Sequence, residues 1–158
     1  MSYRSALAVA IRARAIADAT LTGYLAAGNL SVRQVFAGED AVFPYIYFAL
    51  TGSTNDEAFR TEGRIQRVDW HVYVPEQAPA SSGVDQFLKR NNIVARLMGD
   101  WSAQVAGTGP TYGFNRWQPT VTGWAPTHME FLSDTDLDEP GVLHSLLQFQ
   151  VHMTKAGA

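Results

Sequence analysis

A run of apolar residues at positions 42–50 places the strongest constraint on the fold of this chain. Pro44 lacks an amide donor, so it fits the first position of a strand or an edge. After Pro44 both alternating faces of the run are apolar, and Tyr45 and Tyr47 share one of them. A strand of this kind needs cover on both faces. We expect a helix to cover one face and another subunit to cover the other.

The composition indicates one domain with few charges on its surface. At 158 residues the chain is long enough to bury a core without disulfides or metals. Charged residues make up 17% of it, below the roughly 25% of an ordinary globular protein. Subunit contacts would explain this, and so would an uncharged polar surface. The net charge of −3 argues against a nucleic-acid-binding surface but not against a pore through which DNA passes.

Several classes of protein are disfavoured. The chain has no cysteine, which removes disulfides and thiolate metal sites. The charged stretch at residues 11–14 interrupts the first apolar run, so we expect no secretory signal. No apolar stretch is long enough to span a bilayer. We therefore expect a soluble protein from a reducing compartment.

The first half of the chain predicts one helix and three strands. An Ala- and Leu-rich stretch with helical periodicity covers residues 2–27. Strand character follows at residues 30–36, 44–50 and 64–74. The polar segment 51–63 is too long for a tight turn. It is interpreted either as a ribbon that protrudes from the last two strands or as a mobile loop.

The second half predicts one helix and two strands. Ser82 is a plausible N-cap for a helix that ends near residue 100, with residues 89–92 mostly on its solvent side. Its predicted buried side comprises Val84, Phe87, Leu88, Val94, Leu97, Met98 and Trp101. Segment 102–119 is irregular and rich in glycine, proline and aromatic residues. Strands follow at residues 120–133, with a break at Pro126, and at 142–154.

Alternation in the long strands separates a core face from a polar face. The predicted core residues are Val68, Trp70, Val72 and Val74, with Leu143, Ser145, Leu147, Phe149, Val151 and Met153 on the last strand. The fold class is therefore α+β, a mainly antiparallel sheet of about four to five strands with two helices packed on one face. The element order is α-β-β-β-α-β-β.

Motifs for catalysis or metal binding are weak. Common hydrolase, metalloprotease, phosphate-binding and dinucleotide motifs are missing. Pairing across the last hairpin would bring His128 near His144, which leaves a small metal-dependent hydrolase as an alternative. Residues 134–139 are acidic but lack the glycine and the closing glutamate of a calcium loop, so a solvated turn is favoured. We predict no catalytic residue, cofactor or metal.

Aromatic and basic side chains supply the candidate contact surfaces. The irregular segment carries Tyr112, Phe114 and Trp117, which pack either onto the domain or onto a neighbour. The predicted interface residues are Tyr45, Tyr47, Phe59, Arg60, Arg64, Arg67, Tyr112, Phe114 and Trp117. The basic residues among them are interpreted as solvated or ion-paired rather than as a nucleic-acid site.

Four segments together resemble the tail terminator, or tail-completion, proteins of long-tailed bacteriophages. They are the Ala-rich helix that ends at Gly28, the strand entry at residues 43–46, the strand 67–74 with its loop and following helix, and the final hairpin. The likeness covers most of the chain and departs from the family in the long segment 102–119.

The resemblance implies a structural protein of the virion with no catalytic residues. It implies a hexameric ring at the head–tail junction, assembled in the host cytoplasm, that caps the tail tube and ends its polymerisation. The implied partners are copies of the chain itself, the tail tube protein and a head-completion protein, with DNA passing through the ring. Another neck component, such as a head-closure or adaptor protein, is the nearest alternative, and a monomeric binding domain is a further one.

Overall fold

The computed structural model of the chain describes residues 2–34, 42–55, 62–76, 85–99, 111–137 and 139–156. Its centre is a mixed six-stranded sheet, in which β1 (Val32–Arg33), β2 (Tyr45–Asn55), β3 (Gly63–Pro75) and β6 (Val142–Lys155) are neighbours in that order. The far edge of β6 pairs with both β4 (Trp124–Pro126) and β5 (Glu130–Asp136). Strands β1 and β2 are parallel, and every other pair is antiparallel. Helices pack on one face of this sheet. The predicted α+β class is confirmed.

The N-terminal helical region is two helices, not the single helix predicted over residues 2–27. Helix α1 spans Tyr3–Ala17 and α2 spans Ala19–Tyr24. The break falls at Asp18, whose Oδ1 accepts hydrogen bonds from the backbone amides of Thr20 and Leu21. An aspartate that satisfies the free amides of a new helix ends the preceding one.

The predicted second element is short. Strand β1 covers Val32–Arg33, directly after a 3-10 turn over Gly28–Ser31. The prediction for residues 35–36 lies outside the described residues. Within the described residues, β1 therefore pairs with β2 only near the start of β2, at Ile46 and Tyr47.

Strands β2 (Tyr45–Asn55) and β3 (Gly63–Pro75) extend beyond the predicted bounds into the polar segment. Their pairing runs from Tyr45 opposite Tyr73 to Asn55 opposite Arg64. The register shifts between Thr51 and Ser53, where Gly52 adopts a positive φ of 47°. Of the two interpretations of segment 51–63, the described residues show paired strands as far as Asn55 opposite Arg64. Residues 56–61 lie outside the described residues.

Helix α3 spans Gln86–Met98 and corrects the predicted buried face. Asp85 is its N-cap through Phe87 N, whereas the predicted cap Ser82 lies outside the described residues, as do Val84 and Trp101. The buried residues are Gln86, Arg90, Ile93 and Leu97. Phe87 and Leu88 are more than half exposed, because Arg90 turns inward to pair with the carboxylate of Asp136.

The C-terminal strands form the far edge of the sheet. They are β4 (Trp124–Pro126), β5 (Glu130–Asp136) and β6 (Val142–Lys155). The predicted break at Pro126 is confirmed, since β4 and β5 pair separately with β6. Segment 102–119 is irregular over its described part, residues 111–119.

The core lies between the sheet and the helices, as the alternation predicted. Leu7 and Ile11 of α1 and Ile93 and Leu97 of α3 are fully buried in one cluster with the strands. The strand residues in it are Val32, Ile46, Phe48, Val68, Trp70, Val72, Val74, Leu143, Leu147, Phe149, Val151 and Met153. None of the helices in the described parts of the chain has the length and apolar character that a bilayer crossing requires.

Candidate subunit interface

The other side of the sheet carries aromatic, histidine and polar side chains; we call it the open face. The buried apolar residues of the described helices join the core cluster on the opposite side, so these helices cover the other face of the sheet. The side chains of the open face on the central strands include Tyr45, Tyr47, Asp69, His71, Tyr73, His144 and Gln148. Their alternation with core residues follows from the pleat of a strand.

The rings of the open face are stacked on one another across the strands. Tyr45 and Tyr73 lie 4.9 Å apart at an interplanar angle of 12°, and Tyr47 and His71 lie 4.3 Å apart at 4°. Tyr73 also stacks on His144, with ring centroids 4.2 Å apart. Each of these rings therefore stacks one of its faces on a neighbouring ring of the same chain.

This stacking argues against a nucleic-acid platform. A sheet that binds single strands leaves aromatic ring surfaces free for bases to stack on. Here those surfaces are occupied by other rings of the chain, as the pair Tyr47 and His71 illustrates. The open face instead offers ring edges, hydroxyl groups and amide groups. Such a surface suits protein contacts, where rigid tyrosines lose little conformational entropy on binding.

Two histidines lie at the centre of the open face. His71 Nδ1 and His144 Nε2 are 2.9 Å apart, so one nitrogen donates a proton and the other accepts it. Burial, and then the nearby His144, lower the pKa of His71 from 6.5 to about 4, although Asp69 opposes this. His71 is therefore uncharged at neutral pH.

The tyrosines of the open face keep their protons. Burial raises the pKa of Tyr45 to about 12 and also raises the pKa values of Tyr47 and Tyr73. Tyr47 and Tyr73 share a side-chain hydrogen bond. Asp69, the acidic residue beside them, accepts a hydrogen bond from Thr51 Oγ1 at 3.0 Å. The face is thus a connected, mostly neutral hydrogen-bonding surface.

The predicted interface residues on the strands differ in their exposure and in the face of the sheet on which they lie. Tyr45 is on the open face but only 2% exposed, so it mainly supports its neighbours. Tyr47 is partly exposed and available for contact. Arg67 is exposed on the same face, opposite Thr51. Arg64 projects from the opposite face and donates to Asn55 Oδ1, and the predicted Phe59 and Arg60 lie outside the described residues.

The aromatic residues of the irregular segment mostly pack onto the domain. Phe114 is 1% exposed and lies 5.1 Å from Trp70, so it belongs to the core; this corrects its prediction as a contact residue. Trp117 packs edge-on against Phe114. Tyr112 is partly exposed and lies under the guanidinium of Arg96. Aromatic character alone did not distinguish these three positions.

The predicted pairing of His128 with His144 is wrong. The amide of Leu137 donates to the carbonyl of His144, whereas the amide of Thr127 donates to the carbonyl of His152, at the other end of β6. The partner of His144 is His71 on β3 instead. The described residues contain no cluster of three or more His, Cys, Asp or Glu side chains that would hold a metal.

Sequence reasoning also missed a charged cleft in the helical layer. It is lined by residues that include Arg14, Asp18, Arg96 and Tyr112, and its volume is about 420 Å³. The signal was weak, because the two arginines are far apart in the chain and each has the spacing of an ordinary surface residue. They come together only because α2, which follows α1, packs against α3.

Comparison with known proteins gives a likeness at the level of structure. No family model matches this chain, and no curated protein matches it either. Among solved structures, it is similar to a chain of the virion of a native gene transfer agent particle. The two share 14% sequence identity at a TM-score of 0.64, and the match covers 97% of this chain and 98% of that one. The likeness shows that the two chains share a fold over their whole length.

Proposed function

We propose that this chain is a structural virion protein that acts as a tail terminator. The observation that carries the proposal is the fold shared with a chain of a gene transfer agent virion. Nearly all of both chains takes part in that likeness, so it extends well beyond a common supersecondary motif. The sequence resemblance to tail terminators, which rests on separate segments of the chain, supports the same assignment.

In this proposal six copies form a ring on the end of the tail tube. The ring ends tube polymerisation and provides the surface on which head-completion proteins assemble. DNA passes through its centre, and a net charge of −3 per chain suits a channel that must not retain DNA. The protein works by shape at the head–tail junction and converts no substrate.

The open face supplies one surface for such a ring. A closed ring needs two different patches on each subunit that meet around a rotation axis. Tyr47 is partly exposed and Arg67 is exposed on the open face, beside the buried Tyr45. The stacked rings hold their rotamers before any partner arrives, which reduces the entropy cost of association. We propose segment 51–63 as an arm that contacts a neighbouring subunit or the tube.

A second candidate is another component of the neck, such as a head-closure or adaptor protein. It is favoured by the fact that the similar chain comes from a whole virion, which contains neck proteins as well as tail proteins. The two roles differ in their neighbours. A terminator binds the tail tube protein, and a head-closure protein binds the portal side, so co-assembly with purified tail tubes separates them.

The ring itself is tested by native mass spectrometry followed by electron microscopy of the purified protein. We expect a single species at about six times the chain mass of 17.3 kDa, seen as closed annular particles. A protein that stays monomeric at high concentration would contradict the proposal.

A further inference from the structure

A hollow lies in the open face, beside the point where the pairing of β2 with β3 shifts its register. The shift falls between Thr51 and Ser53, and a shift of this kind bends a strand and redirects the side chains next to it. The volume of the hollow is about 340 Å³. It is lined by Gly52, Ser53, Thr54, Ile65, Arg67 and Gln150. This is enough room for an amino-acid side chain from another molecule.

The lining of the hollow suits a carboxylate. Arg67 is exposed and contributes a guanidinium group, and Ser53 and Thr54 are hydroxyl-bearing residues. None of the ion pairs among the described residues involves Arg67. A planar guanidinium group can donate two parallel hydrogen bonds to the two oxygens of a carboxylate.

The carboxylates near Arg67 on the open face are held by other groups. Glu130 accepts a hydrogen bond from Gln150 Nε2 at 2.9 Å. Asp69, two residues from Arg67 on β3, accepts one from Thr51 Oγ1 at 3.0 Å. The guanidinium of Arg67 is therefore available to a carboxylate from another molecule.

One such carboxylate is displayed on the helix side of the sheet. Asp134 is exposed on β5 and lies opposite Leu147, a core residue, so its side chain is on the helix side. Asp136, on the same face of β5, is already paired with Arg90, whereas none of the ion pairs among the described residues involves Asp134. Arg67 and Asp134 lie on opposite faces of one sheet, so they are placed to pair between copies and not within one.

An exposed aromatic ring lies on the same side of the sheet as Asp134. Phe87, in the first turn of α3, is 51% exposed, and the guanidinium of Arg90 lies 5.5 Å from its ring centroid. Arg90 also binds Asp136 at 3.4 Å, so Phe87 and Asp134 both lie beside one ion pair. We call Phe87 and Asp134 together the helix-side corner. Exposed aromatic residues are enriched at the centres of protein contacts.

We propose that the helix-side corner of one copy docks on the open face of the next copy, with Asp134 in the hollow beside Arg67. This inference rests on the proposed ring and names the two surfaces that close it. The surfaces differ and lie on opposite sides of the sheet, as a head-to-tail contact around a rotation axis requires. The ring of Phe87 then meets the tyrosine and histidine side chains of the neighbouring open face.

Charge reversal tests the pairing, because every copy carries both partners. Arg67→Glu and Asp134→Arg each place like charges at every contact, so each variant should need about a hundredfold more protein than wild type to assemble. The double variant, Arg67→Glu with Asp134→Arg, restores opposite charges and should assemble within about tenfold of wild type. The neutral variants Arg67→Gln and Asp134→Asn should each need about tenfold more protein. Both positions are exposed, so all of these chains should keep the wild-type unfolding transition.

A mixture of the two charge-reversed single variants gives the sharpest readout. In an alternating ring, each altered hollow faces an altered corner and each unchanged hollow faces an unchanged corner, so every contact joins opposite charges. At a concentration at which wild type assembles, we expect native mass spectrometry to show no ring from either variant alone. The mixture should give a ring with equal numbers of the two chains. The control is Asn92→Arg, on the flank of α3 that carries Lys89 and Arg96, which should assemble like wild type.

The outcomes separate this contact from the proposed function. A wild-type chain that stays monomeric overturns both. A wild-type ring that the single variants also form at the same concentration overturns the contact and leaves the ring, and so does failure of both the mixture and the double variant to assemble. A single variant that keeps the ring but no longer joins tail tubes would assign the hollow to a different protein, which also overturns the contact.

Discussion

The side chains on the two faces of the sheet are covered in different ways. On the helix side, Phe48, Trp70 and Phe149 are fully buried by residues from distant parts of the chain. On the open face, Tyr47, His71 and Tyr73 are covered mainly by each other. The helix side forms a hydrophobic core that is buried within the chain itself. The open face is ordered within one chain and still has hydrogen-bonding groups at its surface.

This difference predicts that stability resides mainly on the helix side and that the contacts of the proposed ring reside on the open face. Burial of large apolar side chains supplies most of the folding free energy, and that burial is concentrated on the helix side. Stacked rings with polar edges add less to folding but present a rigid surface to a partner. A substitution on the helix side should therefore unfold the chain, and one on the open face should change what it binds.

The largest effect is expected on the helix side. Trp70→Ala should lower the free energy of unfolding by about 3–5 kcal/mol, because it leaves a cavity beside Phe48 and Phe114. Trp70→Phe is the matched control, since it keeps most of the ring and should cost less. The same truncation on the open face, Tyr47→Ala, should cost about 1–2 kcal/mol. Urea unfolding measures all three, and equal losses at the two faces would contradict the comparison.

The next largest effect is a loss of stability in acid that arises on the open face. The pKa of His71 is lowered to about 4 in the folded chain, against 6.5 for the ordinary side chain. Between these values the unfolded state binds a proton that the folded state does not, so stability falls as the pH falls through this window. The loss should reach about 2 kcal/mol at pH 5.

Substitutions of single histidines test whether His71 causes this pH dependence. His71→Gln should flatten the stability profile between pH 7 and pH 4, because the group that titrates is gone. His128→Gln, at an exposed position between β4 and β5, is the matched control and should keep the slope of the wild-type profile. A profile that keeps its full slope without His71 would contradict this assignment.

The smallest effect concerns one hydroxyl group. Tyr47→Phe removes the side-chain hydrogen bond to Tyr73 while it keeps the stacked ring. We expect a loss of about 1 kcal/mol in the free energy of unfolding. Tyr24→Phe is the control, since the hydroxyl of Tyr24 has no hydrogen-bond partner within the described residues. A loss as large as that of Tyr47→Ala would mean that the hydroxyl, not the ring, holds this face together.

The strand faces could be predicted from the sequence, because the period of two is a local property of the backbone. Val68, Trp70 and Val72 lie on the core side as the alternation indicated. The inward face of α3 could not be predicted in this way. Arg90 is buried because Asp136, from a distant strand, pairs with it, and no helical periodicity reports such a partner.

The helix break and the site show the same limit. Asp18 is a common capping residue, but in an Ala-rich stretch its role became clear only from its bonds to Thr20 and Leu21. The stacking of His71 with His144 depends on the register of β3 against β6. The cleft lined by Arg14 and Arg96 depends on how α2 packs against α3. Pairing and packing are long-range properties, so local patterns predicted the elements better than the surfaces they form.

The most direct test of the central claim compares the solution mass of two variants with that of the wild-type chain. The claim is that another copy completes the open face. Tyr47→Asp adds a charge to that face, and Asn92→Asp adds the same charge to the exposed side of α3. We predict a ring for wild type and for Asn92→Asp, and a smaller species for Tyr47→Asp that still shows a cooperative unfolding transition. A Tyr47→Asp protein with the wild-type mass would contradict the claim.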